Sequence, residues 1–79
     1  MPVPRIRNRI SRALHERGWT DQVLATKASI SRSRVNEIKN CVAQPTVAEG
    51  LAISRSLDLS IAELFYFERE PDHLKARGL

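Results

Sequence analysis

Few residues in this sequence have the types and spacing that catalysis or metal binding requires. Histidine occurs only at His15 and His73, and Cys41 is the only cysteine. A zinc site needs Cys and His side chains at short repeated spacings, and His15-Glu16 lacks the second histidine of a zinc-protease helix. The sequence also contains no recognisable set of nucleophile, base and stabilising group. We therefore expect no metal site, no cofactor and no enzymatic activity.

Arginine and lysine, in contrast, are abundant and unevenly placed. Residues 1–40 contain nine Lys/Arg against three Asp/Glu, a net charge of +6, whereas residues 41–79 have a net charge of −2. The nine are Arg5, Arg7, Arg9, Arg12, Arg17, Lys27, Arg32, Arg34 and Lys39. This asymmetry favours a polyanionic partner, either nucleic acid or an anionic membrane surface. A solvated arginine-rich face without a ligand is the alternative.

Length and composition predict a single globular domain. The chain has 79 residues, 42% of them hydrophobic, with only three Gly and four Pro. Such a composition is typical of one folded domain, and the length leaves no room for a second. The longest apolar run, residues 64–67, is far shorter than the roughly 20 residues that cross a bilayer. We expect a soluble, cytoplasmic protein without a membrane partner.

The first half of the chain predicts three helices. The first helix follows from apolar residues at i, i+4, i+7 and i+8, starting at Ile6, and it ends near Gly18. Thr20 is a suitable N-cap for a second helix over residues 21–28, and Ser31 for a third over residues 32–39. Asn40 suits a left-handed cap at the end of the third helix.

Two capping boxes predict the start of a fourth and a fifth helix. They are residues 46–49, with Thr first and Glu last, and residues 60–63, with Ser first and Glu last. Pro71 ends the fifth helix, and residues 71–79 form a tail without a periodic apolar face. No segment alternates as a strand does. The expectation is an all-α fold, a compact five-helix bundle over residues 1–70.

The second and third helices are joined by a short turn, which is the arrangement of a helix-turn-helix unit over residues 21–39. The apolar residues of this unit follow the pattern LA-x-x-x-G-[IV]-S-x-x-x-[IV]-x-x-[IL], from Leu24-Ala25 through Ile30-Ser31 and Val35 to Ile38, with Ser29 in place of the glycine. The sequence therefore resembles the Cro/C1-type (XRE-like) helix-turn-helix family of phage and bacterial repressors. The resemblance covers about residues 6–65. It implies a lambda-repressor-like bundle that binds specific sequences of double-stranded DNA.

Three residues depart from the pattern of that family. Ser29 stands where the family has a turn glycine, and a residue other than glycine at positive φ is strained. Cys41 stands where a glycine usually follows the third helix, so that Asn40 would take over its role. Gly50 occupies a position inside the fourth helix where the family has leucine, at a cost of about 1 kcal/mol in helix propensity.

The resemblance also implies how the protein would contact DNA. The third helix would lie in the major groove, and the second would cross above it and bind phosphate. Residues on the groove side of the third helix would read bases: Arg32, Ser33, Asn36 and Glu37. Candidates for phosphate binding are Arg9, Arg12, Thr20, Gln22, Arg34, Lys39 and Asn40. Arg34 has the alternative of shielding neighbouring apolar surface, and Asp21 is expected to complement the helix dipole, because a carboxylate would repel phosphate.

Aromatic residues near the end of the chain predict an interaction surface. On a fifth helix, Tyr66 and Phe67 would point away from the inner apolar face, so that a second partner is needed to cover them. A second copy of the chain fits, because operators with two-fold symmetry are bound by symmetric dimers. The expectation is a homodimeric transcriptional regulator, most simply a repressor. The alternatives are an antitoxin-like autoregulator and a protein-interaction module, each using this aromatic helix to hold another protein.

Overall fold

The computed structural model describes residues 4–69, and these form five helices and two short strands. In chain order they are β1 (Ile6–Asn8), α1 (Ile10–Arg17), α2 (Asp21–Ala28), α3 (Arg32–Lys39), α4 (Val47–Leu57), α5 (Ile61–Leu64) and β2 (Phe65–Phe67). The second and third helices have the bounds that the sequence predicts. The expected tail over residues 71–79, with Pro71 at its start, lies outside the described residues.

The two strands correct the expectation of an all-α fold. β1 and β2 pair as an antiparallel two-stranded sheet, the ribbon, with Ile6 opposite Phe67 and Asn8 opposite Phe65. The sequence predicts helix from Ile6, because Ile10 follows it at a spacing of four. The helix instead starts at Ile10, whose N–H is accepted by the Asn8 side chain at 3.1 Å. The expected fifth helix is likewise only one turn long, because Phe65, with β-propensity, begins β2.

The helices bury one apolar core. The largest fully buried side chains are Ile10, Leu24, Val35, Ile38, Ile53, Leu57 and Leu64. The second helix also buries Ala25 and Ala28, and it packs against both α3 and α4. A small residue at such a crossing allows the helix axes to approach closely. The core thus fixes the angle between α2 and α3.

Side-chain caps start four of the five helices, as the sequence predicts. The hydroxyl of Thr20 accepts the N–H of Val23 at 3.2 Å, and that of Ser31 accepts the N–H of Arg34 at 3.1 Å. Both capping boxes are complete, at the start of α4 and at the start of α5. These caps satisfy amide groups that have no partner within the helix, so they fix where each helix begins.

Backbone conformation at the helix ends confirms one expectation and corrects another. Ser29 has φ 58° and forms the left-handed cap of α2, in the position of the family's glycine. Asn40 is not the left-handed residue after α3, because its φ is −91°. Its N–H still donates to the Asn36 carbonyl at 3.0 Å, so the reversal falls one residue later, at Cys41 with φ 61°.

The ribbon is attached to the carboxyl end of α3 by amide side chains. Gln44 accepts the N–H of Ile6 at 2.6 Å and donates to its carbonyl at 3.1 Å, as a third strand would. The amide of Asn8 donates to the carbonyl of Ile38 at 2.9 Å, within the last turn of α3. Non-neighbouring parts of the chain therefore hold α3 at its end as well as along its buried face.

Candidate nucleic-acid interface

The third helix has one buried face and one polar face. Its buried residues are Val35 and Ile38. The residues on the polar face are exposed and line one open depression: Arg32, Ser33, Asn36 and Glu37. These four are called the α3 polar face below. The structure thus brings together the whole set that was expected to read bases, with hydrogen-bond donors and acceptors side by side.

The turn before α3 sets the position of this face. Ile30 packs against the core and donates its N–H to the carbonyl of Ala25 at 3.0 Å. Ser31 then caps the helix, so Arg32 and Ser33 fall in its first turn. Side chains on a helix tilt toward its amino end, so those of the first turn extend beyond that end. The turn therefore presents the amino-terminal part of the α3 polar face to solvent.

Two of the expected phosphate-binding residues lie at the start of α2. Thr20 is exposed and uses its hydroxyl as the helix cap. Gln22 is also exposed, and its amide donates to the hydroxyl of Thr26 at 3.2 Å. The positive end of the helix dipole and the first N–H groups of the helix make this end suitable for an anion.

Asp21 has a different environment from the one expected, because it contacts α3 directly. Its carboxylate oxygens lie 2.9 and 3.0 Å from the Lys39 ammonium, and one of them accepts the Asn36 amide at 3.3 Å. Partial burial raises the pKa of Asp21, but the hydrogen bonds and the positive charges of Lys39 and Arg32 outweigh this effect, so that the pKa is lowered. Asp21 is therefore ionised at neutral pH, and Lys39 is occupied by it.

Arg34 connects α3 to the start of α4 and does not extend from the α3 polar face. Its guanidinium binds both carboxylate oxygens of Glu49, at 2.7 and 2.8 Å, and donates to the Gln44 carbonyl at 3.1 Å. Hydrogen bonds from Arg34 and Thr46 lower the pKa of Glu49 to about 2. The guanidinium thus has its partners within the protein, an environment closer to the shielding alternative than to phosphate binding.

Arg9 and Arg12 lie at a second depression, separate from the α3 polar face. They line it together with Ala13, Glu16, Leu59 and Glu63. The guanidinium of Arg9 lies 4.3 Å from the centre of the Tyr66 ring and donates to the Glu63 carbonyl at 3.4 Å. The structure therefore brings these two arginines together, but beside α5. Asn40, the remaining candidate, is exposed directly after α3.

Tyr66 and Phe67 lie on β2, so the helical argument for a second apolar face is wrong. Phe67 is half-buried opposite Ile6, and Tyr66 is 39% exposed opposite Arg7. β1 of the same chain therefore covers part of the surface of Tyr66 and Phe67, for which the sequence predicts a second partner. The outer edge of β2 pairs with no third strand among the described residues.

Sequence reasoning missed the polar residues that position α3 from a distance, namely Asn8, Asp21, Gln44 and Glu49. Of these, only Glu49 had a local signal, because its capping box predicted its place at the start of α4. The other contacts join residues 18 to 38 positions apart, for which one sequence offers no periodic pattern.

Neither a metal centre nor a membrane span is found in the described part of the chain. Residues 4–69 contain no group of three or more His, Cys, Asp or Glu side chains that could hold a metal ion. No helix among the same residues is long and apolar enough to cross a membrane.

Comparison with solved structures relates this arrangement to known proteins. The N-terminal DNA-binding domain of SinR from Bacillus subtilis is 27% identical, with a TM-score of 0.64, over 68% of this chain and 80% of that chain. A candidate DNA-binding protein from Bacteroides fragilis has the same fold, with a TM-score of 0.68 at 21% identity, over 77% of this chain and 98% of that one. No curated protein sequence matches the chain at a significant level.

The sequence profile of one family covers most of the chain. The profile describes the Cro/C1-type helix-turn-helix DNA-binding domain, and it matches residues 9–70. The match includes α2, the turn at Ser29 and α3, as well as the two capping boxes. The chain therefore belongs to the Cro/C1-type helix-turn-helix family of DNA-binding domains.

Proposed function

We propose that this chain is a sequence-specific transcriptional regulator that binds double-stranded DNA as a homodimer and acts as a repressor. The observation that carries the proposal is the α3 polar face, in which four exposed polar side chains lie beside one another on one helix. The same helix is fixed on its other side by the core and at its end by the ribbon. A rigid helix that presents exposed donors and acceptors is what reading of base edges requires.

In this proposal α3 lies in the major groove with its amino-terminal end toward the bases. Arg32 donates two hydrogen bonds to O6 and N7 of guanine, because a guanidinium matches that pair of acceptors. Asn36 pairs with adenine, which offers one acceptor and one donor, and Glu37 accepts from N4 of cytosine. Ser33 hydrogen-bonds either a base or a neighbouring phosphate.

Phosphate binding is assigned to residues around that face. The exposed side chains of Thr20 and Gln22, with the first N–H groups of α2, bind one phosphate, and Asn40 binds another beyond α3. Arg9 and Arg12 contact the backbone at the flank of the site. Such contacts carry no sequence information, but they supply much of the affinity.

The dimer contact is assigned to β2, through Tyr66 and Phe67. The support is the outer edge of β2, which no other strand among residues 4–69 covers, and the exposed ring of Tyr66. Two copies related by a two-fold axis would place their α3 helices in successive turns of the major groove, roughly 34 Å apart. A dimer bound over a promoter represses by excluding polymerase.

A binding titration tests DNA binding, its sequence specificity and the symmetry of the bound site. Duplexes enriched from a random pool by repeated binding are compared with the starting pool, between low and high salt, by fluorescence anisotropy. We expect enrichment of a symmetric sequence, tighter binding to it than to the pool, and affinity that falls steeply with salt. Failure to enrich any sequence would overturn sequence-specific binding. Binding to anionic vesicles in place of DNA would favour the membrane-surface alternative.

A further inference from the structure

An acidic residue at the edge of a DNA-binding surface needs an explanation, because a carboxylate repels phosphate. Asp21 is the first residue of α2, and its side chain is only 18% exposed. It contacts one residue of the α3 polar face, Asn36, and one residue at the carboxyl end of the same helix, Lys39. We infer that Asp21 is a positioning residue, which sets base preference through Asn36 and prevents Lys39 from adding affinity for any DNA sequence. This inference rests on the proposed function.

The contact with Asn36 determines which atoms that amide offers to a base. An ionised carboxylate only accepts hydrogen bonds, so Asn36 must turn its NH2 group toward Asp21. One N–H of that group is used, while the second N–H and the carbonyl oxygen remain available. One donor beside one acceptor is the pair that adenine matches in the major groove. Asp21 thus fixes the orientation of the amide before DNA arrives, so that bases which need the reversed pair are disfavoured.

The contact with Lys39 affects the affinity for DNA and not the base preference. A lysine at the end of a recognition helix is well placed for the DNA backbone, and each phosphate that is neutralised raises affinity for every sequence. The ammonium of Lys39 instead lies between the two Asp21 oxygens, and its side chain is only 21% exposed. Freeing it from this ion pair would add one phosphate contact without any gain in base recognition. Through Lys39, Asp21 therefore lowers affinity for all DNA sequences alike, while through Asn36 it favours one base pair.

The test replaces Asp21 by asparagine and uses Asp58→Asn as the matched control. Both substitutions remove one negative charge and keep the side-chain shape. Asp58 is an exposed residue at the left-handed cap of α4, with φ 56°, a conformation that asparagine tolerates. Circular dichroism and thermal unfolding show that each variant is folded. Affinity is then measured for the preferred duplex, for its single-base variants and for random DNA, across a series of salt concentrations.

Two changes are expected in Asp21→Asn and not in Asp58→Asn. The slope of log K against log salt for random DNA becomes steeper by about 0.9, the value for one more phosphate contact. Discrimination between bases falls by about tenfold at one base pair, because an asparagine at residue 21 can bind either orientation of the Asn36 amide. This base pair is identified as the one at which Asn36→Ala also removes the preference. A purely structural ion pair would move neither quantity in a folded variant.

A second variant separates the two effects of Asp21. In Asp21→Asn combined with Lys39→Gln, the salt slope is expected to return to the wild-type value, whereas the loss of discrimination at the Asn36 base pair persists. If Asp21→Asn and Asp58→Asn behave alike while the wild type prefers its selected duplex, the inference about Asp21 is wrong and the proposed function stands. If the wild type binds random and selected DNA equally, the proposed function fails, and the inference fails with it.

Discussion

The α3 polar face and the surface around the ribbon both carry arginine, but they use it differently. Arg32 lines the α3 polar face and forms no hydrogen bond or ion pair through its side chain within residues 4–69. Around the ribbon, the guanidinium of Arg7 lies 3.7 Å from the Glu68 carboxylate, and that of Arg9 lies over the Tyr66 ring. Arg32 is thus unpaired and exposed, whereas Arg7 and Arg9 already contact neighbouring side chains.

The difference shows that net charge does not measure binding capacity. The positive half of the sequence includes Arg17, which donates to the carbonyl of Leu57 at 2.6 Å and so completes the end of α4. It also includes Lys39, whose ammonium is bound by Asp21. These charges attract an anion at long range, but they are not free to bind one. Base recognition is therefore expected to depend on the α3 polar face, and stability on the polar contacts elsewhere.

The largest effect is expected from placing a charge in the core, at the end of α5. Leu64 is fully buried, so Leu64→Asp should cost several kcal/mol and unfold the domain. Phe67→Asp is the matched variant at a half-buried position of β2, where the charge can reach solvent. It should remain folded by circular dichroism and lose self-association in sedimentation. An unchanged association state in Phe67→Asp would show that β2 is not the dimer contact.

The next largest effect is expected from replacing one arginine of each region, Arg32 on the α3 polar face and Arg9 near the ribbon. Arg32→Ala should remove about 1–3 kcal/mol of binding free energy from the preferred duplex and much less from random DNA, because a base contact is lost. Arg9→Ala should weaken both duplexes alike and make the salt slope about one unit smaller, because a phosphate contact is lost. Anisotropy titrations at several salt concentrations measure both. Equal weakening of the two duplexes by Arg32→Ala would make Arg32 a phosphate contact only.

A smaller effect is expected at the attachment between the ribbon and the loop after α3. Gln44→Ala leaves the N–H and carbonyl of Ile6 without their partners, which should lower the free energy of unfolding by about 1–2 kcal/mol. Urea denaturation measures this loss. Base preference should be retained, because no residue of the α3 polar face is changed. Altered base preference would show that the ribbon also sets the position of α3 on DNA.

The smallest effect is a gain in stability. Gly50 lies within α4, and a Cβ placed there would be 3.5 Å from Ile61 Cδ1 and 3.7 Å from Phe65 Cε2, which are ordinary contacts. Gly50→Ala should therefore raise the free energy of unfolding by up to about 1 kcal/mol, through helix propensity. Thermal unfolding measures the gain. DNA affinity should stay the same, so a change in affinity would argue against separate roles for the two regions.

The parts of this fold that were predicted from sequence are those fixed by neighbouring residues. The N-caps at Thr20 and Ser31, the positive φ of Ser29 and the buried faces of α2 and α3 all depend on contacts within a few positions. The four residues of the α3 polar face follow from helical periodicity together with a family pattern. Their position on one exposed side of the helix was therefore predictable from the sequence.

The parts that were missed depend on contacts between distant residues. Ile6 satisfied the helical pattern by its spacing from Ile10, and nothing local showed that Phe67 would lie opposite it. In the same way, no short-range signal relates Asp21 to Lys39. Partners of this kind decide which charged residues remain free, and so the sequence alone does not show that Arg34 and Lys39 are engaged within the protein.

The pairing of β1 with β2 also has a consequence for the order of folding. The two strands are about 60 residues apart in sequence, and Glu68 donates its N–H to the carbonyl of Arg5 at 2.8 Å. Closing so long a loop costs entropy before any contact compensates for it, whereas α2 and α3 meet across a short turn. The helical unit can therefore form early and the ribbon last. Substitutions in the ribbon should then accelerate unfolding and leave the refolding rate almost unchanged.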